Sequence, residues 1–218
     1  MLEAEARWFG QMMKRYEAEL FPLCNLGSGS GAYRREVQPW ISRWLFPPEV
    51  GPVVHVDQQA EPGVDLVGDV HDAAFFSQLA TQGFASVMCA NMLEHVADPA
   101  DTARLILELV PPGGLLFLSV PRSFPYHPDP IDTLYRPTPT ELASLFTGTQ
   151  IEAQAIIPCG TLASYLFRRL RHPISLLRSL TTRSRPQISS KPSPSRLRYL
   201  PWLVRRFEVS CLVLRKQP

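Results

Sequence analysis

The 218 residues are 45% hydrophobic and 19% charged, the balance of a globular chain long enough to bury a core. A net charge of +2 argues against a global field for nucleic acid. Four scattered cysteines with no Cys-x-x-Cys pair argue against a zinc ribbon or redox motif, so no metal centre is expected. No apolar run reaches a membrane span, the acidic start Met1-Leu2-Glu3-Ala4-Glu5 lacks a secretory signal's apolar stretch, and isolated thiols suit a reducing cytosol, so a cytoplasmic protein is expected.

Residues 2–20 place Leu2, Ala6, Phe9, Met13, Tyr16 and Leu20 at helical spacing, which predicts an amphipathic covering helix. Pro22 stops it, and residues 21–26 form a first strand. Gly27, Gly29 and Gly31 then supply a tight turn open to a ligand. A helix over 32–45, kinked at Pro39, carries Trp40 and Trp44 on one face, where they are expected in the core.

Val53–Asp57, Val64–Asp69 and Phe84–Ala90 read as the second to fourth strands. Asp98 caps a helix that Pro99 opens and Pro111-Pro112-Gly113-Gly114 ends, and Leu115–Val120 is a fifth strand. Thr138-Pro139-Thr140-Glu141 is a capping box; strands follow at Ile151–Ile157 and Phe207–Leu214. Continuous apolar strands alternating with helices predict an α/β, Rossmann-like, doubly wound sheet.

In such sheets ligands bind at the carboxyl ends of the strands, where Gly27, Gly29, Asp57, Asp69 and Asn91 fall. An ionised acid at the end of the second strand can accept from ribose hydroxyls, and one after the third from an adenine amine. The glycines alone are ambiguous, since Gly27, Gly29 and Ala32 also satisfy a dinucleotide fingerprint. Against NAD, Asp57 lies 30 residues after Gly27 rather than the usual ~20, and no second catalytic domain is evident.

Taken together, Asn25-Leu26-Gly27-Ser28-Gly29-Ser30-Gly31, Gly68-Asp69-Val70-His71-Asp72, Asn91-Met92-Leu93-Glu94-His95-Val96-Ala97-Asp98-Pro99 and Leu109-Val110-Pro111-Pro112-Gly113-Gly114 resemble the ordered motifs of class I S-adenosylmethionine-dependent methyltransferases of the methyltransferase domain 11 type, from about residue 21 to 150. Asn25 departs from the resemblance, because the family commonly has an acid there. The resemblance implies S-adenosyl-L-methionine as cofactor. Gly27 and Gly29 would line the methionine part, with Gly31 also among the cofactor-binding residues, Asp57 the ribose, Asp69 with Val70 the adenine, and Asn91 the sulfonium and carboxylate ends. It also implies a seven-stranded, mostly parallel sheet with an antiparallel last strand.

The loop Pro121–Thr138 resembles a sub-group of bacterial methyltransferases associated with surface-glycan assembly, and it holds His127, Asp129, Asp132, Tyr135 and Arg136. Methylating a hydroxyl calls for a base, with His127 the first candidate and His95 the second. Asp132 and Arg136 can instead simply pair to hold the loop. The expected activity is O-methylation of a glycan or small-molecule acceptor. The alternatives are a cofactor-binding partner without turnover in an assembly complex, or an NAD-dependent oxidoreductase.

The expected domain layout is a covering helix at 1–20, a methyltransferase domain at 21–157 and 207–218, and a basic insertion at 158–206. The insertion holds eleven of the 22 Lys and Arg and no acid, with a Ser/Pro-rich stretch at 184–195 expected to be disordered. Residues 161–207, which interleave these charges with Leu, Phe and Trp, are expected to dock on the anionic inner face of a membrane rather than on nucleic acid.

Overall fold

The computed structural model describes residues 1–128, 131–170 and 196–218. Asp129, the Ser/Pro-rich stretch and much of the basic insertion lie outside the described residues. The chain divides into two compact units, Met1–Cys159 with Glu208–Pro218, and Gly160–Phe207.

The larger unit is built on one sheet. Its strands are β1 (Leu23–Leu26), β2 (Val53–Asp57), β3 (Leu66–Val67), β4 (Ser86–Ala90), β5 (Leu115–Ser123), β6 (Thr149–Thr161) and β7 (Arg206–Lys216), and their spatial order is β3-β2-β1-β4-β5-β7-β6. The first five are parallel, and β7 runs antiparallel to β5. This is the α/β doubly wound sheet expected, with its order reversing between β1 and β4. β1 is buried along its length and β5 from Leu115 to Pro121, because helices cover both faces; that is why these strands read as unbroken apolar runs. All four cysteines are buried thiols, with burial pushing Cys24 and Cys159 up to about 12.

Several boundaries differ from expectation. The N-terminal helix breaks at Tyr16 into α1 (Glu3–Arg15) and α2 (Glu17–Leu20), although Ala6, Phe9, Met13, Tyr16 and Leu20 are all buried. The segment after the glycine turn is not one kinked helix. It is a π-helical turn, Tyr33–Val37, followed by α3 (Pro39–Trp44), since Pro39 has no N–H to continue the ladder. Ile41 and Leu45 supply the buried face there, while Trp44 is exposed beneath the Arg7 guanidinium, 5.0 Å from its ring centroid, and Trp40 is half-buried with its indole N–H donating to the Met1 carbonyl. The core placement of these two tryptophans is thereby corrected. The third strand shrinks to two residues at the sheet edge. A helix absent from the sequence reading, α4 (Ala73–Ala80), is capped by Asp72, whose carboxylate accepts from Phe75 N–H at 2.8 Å.

The expected caps are present. Asp98 accepts from the Ala100 and Asp101 N–H groups at the start of α5 (Pro99–Glu108), and Thr138 with Glu141 makes the capping box of α6 (Pro139–Ala143).

The smaller unit contains α7 (Leu162–Leu170) and a 3-10 stretch, Arg196–Leu203. Trp202, expected to be free for a membrane boundary, is instead buried: its ring stacks on Phe207 with centroids 5.5 Å apart, and the Arg205 guanidinium lies over it at 4.7 Å. Leu166, Phe167, Leu200 and Val204 are the exposed apolar side chains of this unit among the described residues.

Candidate active site

The turn after β1 is held from two sides. Gly27 and Gly29 have φ of 70° and 62°, a region side chains rarely adopt, so glycine is favoured at both. The N–H groups of Gly27 and Ser28 donate to the Val56 carbonyl at 2.9 and 3.0 Å. The Gly29 N–H donates to Asp57 Oδ2 at 2.8 Å, and the Gln59 N–H donates to Asp57 Oδ1 at 3.0 Å. Behind the turn, buried Arg34 donates to the carbonyls of Ser28, Gly29 and Gly63. Arg34 escaped the sequence reading; its signal was a basic residue five positions after the second turn glycine.

A cavity of about 600 Å³ opens over the carboxyl ends of β1, β2 and β4. It brings together Gly27, Gly29, Asp57, Val70, Asn91, His95 and His127. It does not include Gly31 or Asp69. Gly31 donates its N–H to the Pro62 carbonyl at 2.7 Å, and a Cβ there would meet that oxygen at 3.0 Å, so this glycine serves chain-to-chain approach. Asp69 is turned to its neighbour. Its Oδ1 accepts from the His71 backbone N–H at 2.9 Å, the main reason its carboxyl is held low, and lies 3.0 Å from His71 Nδ1. Gly68, Val70 and His71 line that end of the cavity instead.

Asn91 follows β4 with φ of 52°, a left-handed conformation of the kind that clusters at functional sites. Its N–H donates to the Ser119 carbonyl and its side-chain amide to Glu5 Oε1 at 2.7 Å. Glu5 is a lining residue that the sequence reading passed over as one more polar position of an amphipathic helix.

The loop after β5 carries His127 into the same cavity. Asp132 organises it by accepting from the N–H groups of His127 (2.9 Å) and Leu134 (2.8 Å) and from Arg136 Nη2 (2.7 Å). Burial alone would raise the Asp132 pKa, but these donors outweigh it and hold the carboxyl down to about 2. The Asp132–Arg136 pair foreseen from sequence is therefore formed. His127 Nδ1 faces the Pro125 carbonyl at 3.0 Å, so that nitrogen carries the proton and the neutral ring keeps its lone pair on Nε2. His95 is oriented alike, with Nδ1 against the Ile131 carbonyl. Burial lowers the His127 pKa, which favours the neutral imidazole.

Both imidazoles turn Nε2 towards Glu94, at 3.7 Å from His95 and 3.9 Å from His127. Glu94 is fully buried, neither carboxylate oxygen has a hydrogen-bond partner among the described residues, and burial pushes its pKa up to about 8. The ligand atoms of the three residues lie within 4.8 Å of one another, close enough to hold a metal ion. Sequence spacing did not single out this group, because His127 joins it only through the fold.

A family model described as a methyltransferase domain matches residues 21–155. Similar curated proteins include the ubiquinone biosynthesis O-methyltransferases of Aeromonas salmonicida (41% identical over 59 residues, 27% of this chain and 25% of that protein) and Xanthomonas oryzae (33% over 108 residues, 50% of this chain and 35% of that protein). The chain thus spans between a quarter and about a third of the length of these relatives. Among solved structures, coclaurine N-methyltransferase bound to N-methylheliamine and SAH has a TM-score of 0.56 at 12% identity, covering 98% of this chain and 71% of that one. The Burkholderia thailandensis 1,6-didemethyltoxoflavin-N1-methyltransferase has a TM-score of 0.50 at 12% identity, covering 99% and 80%. At such identities these two likenesses are of fold.

Glu94 makes stability depend on pH. Its pKa in the fold is about 8, against an ordinary value of 4.5, so above the ordinary value the folded chain keeps a proton that the unfolded chain has lost. Its contribution is fully present below the ordinary value and lost as pH rises through about 8. Thermal melts in metal-free buffer from pH 5 to 9 are expected to fall more steeply for the wild type than for Glu94→Gln, which cannot ionise. Parallel curves would remove this assignment.

Proposed function

The chain belongs to the S-adenosylmethionine-dependent methyltransferases, and on that premise we propose that it methylates a hydroxyl of a glycan or small-molecule acceptor with His127 as the base. Family membership leaves the NAD-dependent alternative without support. The residues around the cavity fit S-adenosylmethionine. The glycine turn leaves backbone open to the cavity, and a Cβ at Gly27 would meet Met92 Sδ at 3.0 Å. Asp57 accepts one backbone N–H on each oxygen, and the remaining lone pairs can take the two ribose hydroxyls. At the other end, Gly68, Val70 and His71 offer walls for the adenine, a role the sequence reading gave to Asp69 and Val70.

The observation that carries the reading is the orientation of His127, a residue of the cavity lining, with Nδ1 committed to the Pro125 carbonyl and the lone pair of the neutral ring left on Nε2, 3.9 Å from Glu94 Oε1. S-adenosylmethionine, when bound, supplies an electrophilic methyl group on a sulfonium. The acceptor oxygen would bond to that methyl carbon as the carbon–sulfur bond broke, with the electron pair of that bond left on sulfur. The hydroxyl proton passes to His127 Nε2, and bulk water later takes it up. Asn91 and the glycine turn hold the donor in line with the acceptor, and positioning dominates such a displacement. His95, whose Nε2 also faces Glu94, is the second candidate base.

A phenolic acceptor of the ubiquinone-precursor kind is a second reading, favoured by the names of the curated relatives. Both readings suit a membrane surface, and we read residues 161–207 as the docking segment. Eleven Lys and Arg without an acid in residues 158–206, together with exposed Leu166, Phe167, Leu200 and Val204, support this. No helix of the described residues is long and apolar enough to cross a membrane.

Four outcomes are expected. Calorimetry with S-adenosylhomocysteine shows binding to the wild type, and Asp57→Ala weakens it about tenfold or more, since hydrogen bonds to a charged group contribute ~1.5–3 kcal/mol each; equal affinities would refute the ribose role. Turnover of labelled S-adenosylmethionine over a panel of sugars and catechols is lowered about a hundredfold or more by His127→Ala, with cofactor affinity unchanged; a fully active variant would leave the loop with a shaping role alone. Because the neutral ring is the active form, the wild-type rate declines on the acid side of the lowered His127 pKa. Finally, the protein co-sediments with anionic vesicles at physiological salt, and deletion of residues 161–207 abolishes this. Protein left in the supernatant, or pelleting equally without the segment, would count against the docking segment.

A further inference from the structure

Glu5 is a carboxylate on α1 with no solvent exposure that nonetheless lines the cavity. Its Oε1 accepts from Asn91 Nδ2 at 2.7 Å and from Ser119 Oγ at 2.6 Å, and its Oε2 accepts from the Leu2 backbone N–H at 2.9 Å. All three donors are neutral. Among the described residues, no Lys, Arg or His side chain forms an ion pair with it. A buried carboxylate without a counter-cation is costly, and buried charges are ordinarily paired. The Met1 ammonium also lines the cavity, one residue from the Leu2 N–H that Glu5 accepts, but no ion pair joins it to Glu5 among the described residues, so the carboxylate can still take a cation from the cavity.

The other charges around the cavity are already committed or distant. Asp57 accepts from Gly29 and Gln59 and keeps its remaining lone pairs for the ribose end, and Glu61 is exposed. Asn25, at the same end as Glu5, is uncharged, with its amide 3.0 Å from His55 Nδ1; burial takes the His55 pKa down to about 4, so this pair carries no charge near neutrality. Arg34 is the buried cation of the turn, and its guanidinium is spent on three carbonyls. Asn91 stands two residues beyond the Leu26–Cys89 pair of adjacent strands, level with the glycine turn. The unpaired carboxylate therefore faces the place where the methionine part of the cofactor would lie.

We propose that Glu5 receives the α-ammonium group of S-adenosylmethionine, so that the N-terminal helix supplies the anionic contact that β1 does not. The proposal rests on the methyltransferase reading. The ammonium is favoured over the sulfonium because it can donate hydrogen bonds, and Oε2 has accepted only one. Glu5 thereby couples the seating of α1 to cofactor binding: Asn91 and Ser119 hold the carboxylate from below, and the ligand neutralises it from the cavity side.

The test compares S-adenosylhomocysteine with its deamino analogue, in which hydrogen replaces the ammonium, by calorimetry on the full chain. The wild type is expected to prefer S-adenosylhomocysteine by about tenfold or more, as for a charge-assisted hydrogen bond. Glu5→Gln keeps an oxygen for Asn91 and Ser119 but removes the charge. It is expected to lose most of that preference by weakening S-adenosylhomocysteine alone. An unchanged preference in Glu5→Gln, or equal weakening of both ligands, overturns the proposal in favour of a purely structural Glu5. A wild type that binds both ligands equally overturns it without any variant. A wild type that binds neither overturns the cofactor reading itself.

Discussion

The hydrogen bond from the Gly29 N–H to the Asp57 carboxylate, 2.8 Å long, ties the turn after β1 to the end of β2, and the cavity depends on it. The turn needs positive φ at Gly27 and Gly29, which costs backbone entropy. Two charged side chains offset that cost from opposite sides, Asp57 by accepting N–H groups and buried Arg34 by donating to carbonyls. Neither alone satisfies both kinds of backbone group. Together they leave the turn as bare backbone facing a cavity, the form an approaching ligand requires.

The far side of the cavity is built on a different principle. The loop after β5 has few regular backbone hydrogen bonds, and a single carboxylate, Asp132, substitutes for them by collecting two N–H groups and a guanidinium. Leu134, with φ of 58°, is strained, and Asp132 accepts its N–H. Thr133 adds a second tie through its N–H and hydroxyl to the Glu94 carbonyl, at 2.9 and 3.1 Å. The result sets His127 beside His95, with ring centroids 5.0 Å apart, over a carboxyl group that burial keeps protonated near neutrality. The glycine turn is thus held by Asp57 and Arg34, while His127 has the Asp132–Arg136 ion pair on its Nδ1 side and the Glu94 carboxyl on its Nε2 side.

Glu5, Asp57, Glu94 and Asp132 illustrate how one functional group, the carboxyl, takes four roles by environment. Asp132 is satisfied by three donors and stays ionised. Asp57 is half committed and keeps lone pairs facing the cavity. Glu94 has no donor among the described residues and holds its proton. Glu5 has neutral donors without a counter-cation among those residues.

The parallel strands, the glycine turn, Asp57 and the caps at Asp98 and Thr138 were legible in the sequence because each follows from a local rule: apolar continuity, positive φ, or an acceptor one turn from free N–H groups. The family resemblance over residues 21–150 was legible for the same reason, since its motifs are the turns at successive strand ends. What the tertiary structure decided is what depends on distant partners. Glu5 and Ser119 are 114 residues apart, Glu94 and His127 are 33 apart, and no periodicity marks either pair. Trp44 was expected in the core and Trp202 at a membrane boundary, yet the first is exposed and the second is buried against Phe207, because burial is set by what packs opposite rather than by side-chain type. Asp69 sits at the strand end that its register implies, but its hydrogen bond from the His71 N–H and its place outside the cavity lining were set by the local fold. Sequence determined which backbone positions could open onto a ligand; only the assembled fold determined which charges remained there to meet it.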